Sequence, residues 1–261
     1  MNHVALITGG SSGLGYCLAR EFAKQGFNIL IVSNNATAND DAVGHIKTDF
    51  HVQATSLSID LREETSAEAV YGFCRENAIS VDALVNNADT GTYGPFADSF
   101  VDDNEAIVQL DVVTLLDLTY LFLHGMRQQG QGIILNVAST AAFQPGPNLA
   151  VFYASKAFVE SFTEAIAEEN RGSGLKISTF CPGPVDTPFL KIGGLDKSVV
   201  VDKFHPENPA KLAAFAYKQL MKGQVVIIPG GKNKRRVFAT RLFSRSAIRH
   251  MMARITAPKK N

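Results

Sequence analysis

Chemistry in this chain concentrates first in Thr8-Gly9-Gly10-Ser11-Ser12-Gly13-Leu14-Gly15, a glycine-rich turn directly after the apolar run at residues 4–7. Glycines let the backbone turn tightly, approach a pyrophosphate, and pack a helix close to the strand before it. The N-terminus of that helix offers free N–H groups and a positive dipole end to the anion. A strand before the turn and a helix after it raise a weak motif to a dinucleotide-binding signature; the blander reading is a structural turn. Other chemistries are poorly supplied. His3, His45, His51, His124, His205 and His250 show no metal-ligand spacing, so no metal site is expected. Cys17, Cys74 and Cys181 form no C-x-x-C pair and read as buried thiols in a reducing compartment.

The elements that must position this turn follow from the apolar pattern. Short runs rich in Val, Ile and Leu predict strands at 4–8, 28–33, 54–60, 82–88, 133–139, 176–182 and 224–229. Helical patterns lie between them at 13–25, 63–77, 102–129, 151–171 and 206–222. This alternation predicts an α/β fold: one doubly wound, Rossmann-type parallel sheet with right-handed crossovers. In such sheets ligands bind beyond the carboxyl ends of the strands, at the point where strand order reverses. The site is therefore expected just after Thr8, Ser33, Asp60, Ala88, Ser139 and Cys181.

Composition sets the outer bounds. The chain is 46% hydrophobic and 19% charged, enough for a sizeable core without disulfides or metals. No signal-peptide pattern and no stretch approaching a membrane span is evident, so the expected location is cytoplasmic. A net charge of zero hides an asymmetry: all 25 acidic side chains precede residue 208, and 13 of the 25 basic ones follow it. The expected organisation is a single α/β domain over 1–231 and a basic helical tail over 232–261.

Later landmarks accompany the glycine turn: Asp60-Leu61, Asn86-Asn87-Ala88-Asp89, Asn136-Val137-Ala138-Ser139, Tyr153-Ala154-Ser155-Lys156, and Pro182-Gly183 followed by Val185 and Thr187. Together they resemble the short-chain dehydrogenase/reductase family over roughly residues 3–230. The resemblance implies an NAD(P)-dependent oxidoreductase acting on a carbonyl or alcohol. It implies cofactor contacts from Gly9, Ser11, Ser12, Gly13, Leu14, Gly15, Asn34, Asp60, Leu61, Asn87, Ala88, Lys156, Pro182, Gly183, Val185 and Thr187. The second strand ends in Ser33-Asn34-Asn35, neither the acidic residue of NAD-preferring members nor the arginine of NADP-preferring ones. Either NAD or NADP is therefore expected, with loss of tight binding the alternative.

In the family a Tyr-x-x-x-Lys pair, a serine and an asparagine do the proton chemistry. Ser139 and Lys156 match two of these, but Phe152 stands where the tyrosine belongs, thirteen residues after Ser139 and four before Lys156. Tyr153 is next door, yet one helical residue is about 100° around the axis, so it is expected to face elsewhere. Asp111 replaces the asparagine and Asp89 replaces a glycine. An ion pair between Asp111 and Lys156 is expected, against the alternative that Asp111 is a solvated helix residue. Losing a positioned acid slows such chemistry by about 10²- to 10⁴-fold, so a member that has left redox catalysis, as a non-redox enzyme or a binding subunit, is the second reading.

Three loops complete the expected site: residues 91–96, 143–147, and a lid over 188–201 whose apolar content points to a lipophilic small-molecule substrate. In the tail, Arg241, Arg245 and Arg249 would form one row on a helix, near Phe238, Leu242 and Met252. The tail reads as a peripheral membrane attachment, or else as a segment that neutralises the acidic body or packs on a second subunit. Nucleic acid is not an expected partner, because no recognition module accompanies the charge. A homo-oligomer is expected from the resemblance.

Overall fold

Apolar runs buried on both faces become central parallel strands, because each face must be covered by helices. In the computed structural model, which describes residues 3–259, seven parallel strands lie in the order β3-β2-β1-β4-β5-β6-β7. They are β1 (Val4–Thr8), β2 (Asn28–Ser33), β3 (Ala54–Ser58), β4 (Ala83–Asn86), β5 (Gly132–Val137), β6 (Leu175–Phe180) and β7 (Val226–Ile227). Order reverses between β1 and β4, so the crevice for a ligand opens beyond Thr8 and Asn86.

Alternate strand residues serve opposite layers. Ala5, Ile7, Ile29, Ile31 and Val85 join Leu18, Phe22, Ile46 and Leu220 in one core. Leu6, Leu30 and Leu84 join Val70, Leu118, Phe122 and Ile166 in the other. The first layer is built by α1 (Gly13–Lys24), α2 (Ala36–Phe50) and α9 (Pro209–Met221), the second by α3 (Ser66–Glu76), α5 (Leu115–Gln129) and α6 (Ala150–Glu169), with α4 (Val101–Val108) leading into α5. Short helices α7 (Phe189–Ile192) and α8 (Val199–Phe204) occupy the segment expected as a lid, hereafter the lid, and α10 (Gly231–Ala239) and α11 (Arg245–Ile255) form the tail. Residues 1–2 and 260–261, the ends of the expected domain and tail, lie outside the described residues.

Three expectations need correction. The pattern between β2 and β3 predicted no helix, yet α2 fills it; only Asn39, Ala42 and Ile46 of its fifteen residues are buried, too few for a visible apolar period. No membrane-spanning stretch was expected, but α4, a π-helical turn over Gln109–Thr114 and α5 run on as one helix. Val101–Gln129 contains a stretch long and apolar enough to cross a membrane by length and composition alone. Its inner face is core, with Ile107, Leu115, Leu118, Phe122 and Met126 buried. Finally, the arginine row is broken: α10 ends at Ala239, and Ser244 caps a new helix by accepting the Ala247 N–H (3.2 Å), so Arg241 shares no helix with Arg245 and Arg249.

Candidate active site

One cleft of about 660 Å³ runs along the carboxyl ends of the strands. Gly9, Ser11, Ser12, Gly13, Leu14, Gly15, Asn34, Asp60, Leu61, Asn87, Ala88, Pro182, Gly183, Val185 and Thr187 all border it, as do Ser139, Phe152 and Tyr153. The glycine turn is a cradle that side chains would fill. Gly9 sits at φ +64°, and a Cβ on Gly15 would run into the Gly9 carbonyl and Asn87 Nδ2. Thr8 locks the turn to β4: its Oγ1 accepts the N–H groups of Asn87 (2.9 Å) and Ala88 (3.0 Å), while Asn87 Nδ2 donates to the Thr8 carbonyl (3.1 Å). Volume, cradle and the α1 N-terminus fit a dinucleotide diphosphate.

Next to this end of the cleft, polar groups hold one another. Asn35 caps α2 by accepting the Ala38 N–H (3.0 Å), which leaves Asn34 on the cleft wall. Ser33 Oγ donates to the fully buried Asn39 Oδ1 (2.6 Å) and lies 2.9 Å from Ser11 Oγ. Asp60 is gripped by Arg62, with Nε at 2.9 and 3.1 Å and Nη2 at 2.5 Å from its oxygens. These bonds from Arg62 hold the Asp60 carboxyl below its ordinary range. Sequence reasoning missed Arg62 and the Ser33–Asn39 pair, although both border or support the wall. A cation two residues from Asp60 was a readable signal; Asn39 was hidden with the helix that carries it.

At the other end the expected ion pair is present and larger than a pair. Lys156 Nζ lies 3.1 Å from Asp111 Oδ2 and 3.1 Å from Asp89 Oδ2. Asp111 projects from the π-helical turn, a backbone irregularity that redirects side chains at functional sites. Its carboxylate also accepts the Thr90 N–H (3.2 Å) and the Ser155 hydroxyl (2.9 Å). Burial pushes the Asp111 carboxyl up to about 6, with Lys156 opposing and Asp89 adding to the rise. Burial depresses the Lys156 pKa, but Asp111 and Asp89 outweigh it and the net direction is upward.

Lys156 is 2% exposed, while its partner Asp89 is 25% exposed and borders the cleft. The Phe152 ring lies over the ammonium at 5.2 Å. Phe152 packs on Phe189 of the lid (centroids 5.5 Å apart) and offers no hydroxyl. Tyr153, expected to face elsewhere, borders the same cleft; its ring lies against Gly146, and burial pushes its phenol up to about 12. Ser139 Oγ accepts the Ala141 N–H (3.1 Å) and donates to the Pro182 carbonyl (3.3 Å).

Phe189, Leu190, Leu195, Val200 and Phe204 supply an apolar wall from the lid. The tail packs behind it: Ile248, Met252 and Ile255 of α11 share one cluster with Phe152, Tyr153, Leu190 and Val200. The chain then ties back to the loops beside the lid. The Thr256 carbonyl accepts Tyr93 Oη (2.8 Å) and Asn148 Nδ2 (3.1 Å), and residues 257–259 bond to residues 197–199 of the lid.

Comparison with known proteins places this geometry. The profile of the short chain dehydrogenase family matches residues 3–194. The very-long-chain 3-oxoacyl-CoA reductase of Mus musculus is 29% identical over 196 residues, which cover 72% of this chain and 61% of that protein. The protein of the same name from Coprinopsis cinerea is 34% identical over 200 residues, covering 74% of this chain and 57% of that one. The chain thus spans about three-fifths of the length of these curated relatives. A solved short-chain dehydrogenase from Sphingobium yanoikuyae, in complex with NADPH, superposes with a TM-score of 0.83 at 25% identity, over 99% of this chain and 98% of that one.

Proposed function

The chain belongs to the short chain dehydrogenase family, and from that premise we propose an NAD(P)-dependent oxidoreductase that interconverts a carbonyl and an alcohol on a lipophilic small molecule, with proton exchange moved from the family's tyrosine to Asp89. The observation that carries this reading is the continuity of the cleft, which joins the glycine cradle to Ser139, Asp89 and Phe152 without a break. Nicotinamide, when bound, supplies the hydride. Gly9 to Gly15 would hold the diphosphate, Asn34 the neighbouring ribose, and Pro182, Gly183, Val185 and Thr187 the nicotinamide end. Ser139 Oγ would turn from the Pro182 carbonyl to the substrate oxygen. Asp89, anchored by Lys156, would exchange the proton.

The apolar lid supports a lipophilic substrate, as do curated relatives named for a very-long-chain acyl substrate. NAD and NADP both remain open: Asn34 is neutral and Arg62 is engaged by Asp60. The reading extends to a cytoplasmic protein that touches membranes through its basic tail. Self-association belongs to it as well, supported by exposed Val108, Val113, Leu116 and Tyr120 on the long helix.

Calorimetric titration with NAD(H) and NADP(H) tests the proposal; failure of both to bind at millimolar concentration overturns it. Phe152 in the tyrosine position supports a second reading, a binding subunit without turnover. Tight dinucleotide binding with no oxidation or reduction of long-chain ketones and alcohols would favour that reading.

A further inference from the structure

The corner between α10 and α11 combines three features found together nowhere else among the described residues. Phe238, Leu242 and Phe243 are 60%, 68% and 62% exposed, three large apolar side chains bare within six residues. Arg241, Arg245 and Arg249 surround them and are exposed too. Arg241 faces Glu160 of α6, which offsets its charge, while no acidic residue follows Glu207 in the chain and Arg245 and Arg249 form no salt bridge among the described residues. The third feature is attachment to the pocket lid. Arg236 of α10 stacks over Phe204 at 4.0 Å. Past α11, the Val199 N–H donates to the Ala257 carbonyl (3.1 Å), the Lys259 N–H donates to the Lys197 carbonyl (2.9 Å), and Lys259 Nζ pairs with Asp202 at 2.8 Å.

We propose that this corner docks on an anionic lipid bilayer: Phe238, Leu242 and Phe243 enter the headgroup layer, Arg245 and Arg249 meet the phosphates, and the strap at 256–259 carries the docking to the lid. The inference deepens the reading of the cleft as a site for a lipophilic substrate and rests on it for its purpose. A bilayer fits better than a folded partner because apolar tips inside a cationic surround match the depth profile of a membrane interface, where arginine stems can run beside apolar neighbours and keep their heads at the phosphates. Basic residues alone bind anionic lipid through a screened field, and the apolar tips add attachment that salt does not remove. The strap gives docking a route to the pocket, since α11 contributes Ile248, Met252 and Ile255 to the cluster that holds Leu190 and Val200 of the lid.

The test is sedimentation of the full chain with equimolar phosphatidylcholine–phosphatidylserine vesicles and with phosphatidylcholine vesicles, at low and high salt. The expected result is co-sedimentation with the anionic vesicles only, weakened by salt. Leu242→Ser/Phe243→Ser and Arg245→Gln/Arg249→Gln should each lower partitioning by at least about tenfold. All four positions are exposed, so circular dichroism should match the unmodified chain. Wild-type protein left in the supernatant at low salt overturns the proposal, as do double variants that partition like wild type. Retention on heparin without sedimentation assigns the charge to a soluble polyanion and overturns it as well. Amide exchange at Val199 and Lys259 should slow on vesicles; unchanged exchange in sedimented protein overturns the link to the lid. None of these readouts uses a dinucleotide or turnover, so failure here and failure of the oxidoreductase reading are separately visible.

Discussion

The ammonium of Lys156 lies 3.1 Å from Asp111 Oδ2, with 2% of one side chain and none of the other exposed. Burying such a pair is costly unless remaining lone pairs and protons are satisfied. The Thr90 amide and the Ser155 hydroxyl satisfy Asp111, and Asp89 takes a further donor of the ammonium. With two carboxylates to one cation, the cluster carries a net negative charge at the edge of the cleft.

Asp111→Asn keeps an acceptor for Thr90 and removes one charge beside Lys156. Burial raises the Asp111 carboxyl from 3.8 to about 6. Between those values the unfolded chain gives up the proton and the folded chain keeps it, so the wild-type fold loses stability as pH rises through that window. The variant should flatten this slope and, because it carries no buried carboxylate to ionise, be at least as stable as wild type at neutral pH. Thermal unfolding across the pH range checks both effects, and superimposable profiles would contradict them.

Lys156→Met leaves Asp111 and Asp89 facing each other without a cation. Breaking one partner out of a buried pair costs about 3–5 kcal/mol. The steepness of the pH dependence is diagnostic. With the cation gone, nothing opposes the rise that burial imposes on Asp111, so the variant should gain more stability than wild type as pH falls below neutral. Denaturant unfolding at neutral and mildly acidic pH measures this.

Phe152→Tyr supplies the hydroxyl that the family's chemistry uses. Steady-state reduction of a long-chain ketone should rise by about 10²- to 10⁴-fold if the absent phenol limits turnover. In the unmodified chain, Asp89→Asn should lower kcat by a similar factor and leave the dinucleotide Kd nearly unchanged. Unaltered kcat in Asp89→Asn would remove Asp89 from the proton path.

Gly15→Ala tests the cradle. Its Cβ would meet the Gly9 carbonyl and Asn87 Nδ2, groups held in place by Thr8. Over-packing of this kind costs about 1–3 kcal/mol and would push the turn away from the diphosphate. A lower Tm with weakened NAD(P)H binding in calorimetry is the expected outcome.

The sequence by itself determined the sheet, the turn and most of the positions that border the cleft. Parallel strands buried on two faces are written as nearly unbroken Val, Ile and Leu, and the turn requires glycine where a Cβ collides, so both leave a local trace. It also predicted the Asp111–Lys156 pair, because a buried ammonium needs a counter-charge and one exchanged residue offered it. What only the tertiary structure decided is direction. α2 was invisible because its buried face is three residues wide. The arginine row was broken by a cap at Ser244, a local hydrogen bond that charge spacing does not reveal. Lys156 meets two carboxylates because Asp89 and Asp111, 22 residues apart in sequence, reach it from two different elements. The balance of Coulomb attraction and burial at one Nζ depends on positions in space, and no spacing along the chain records it.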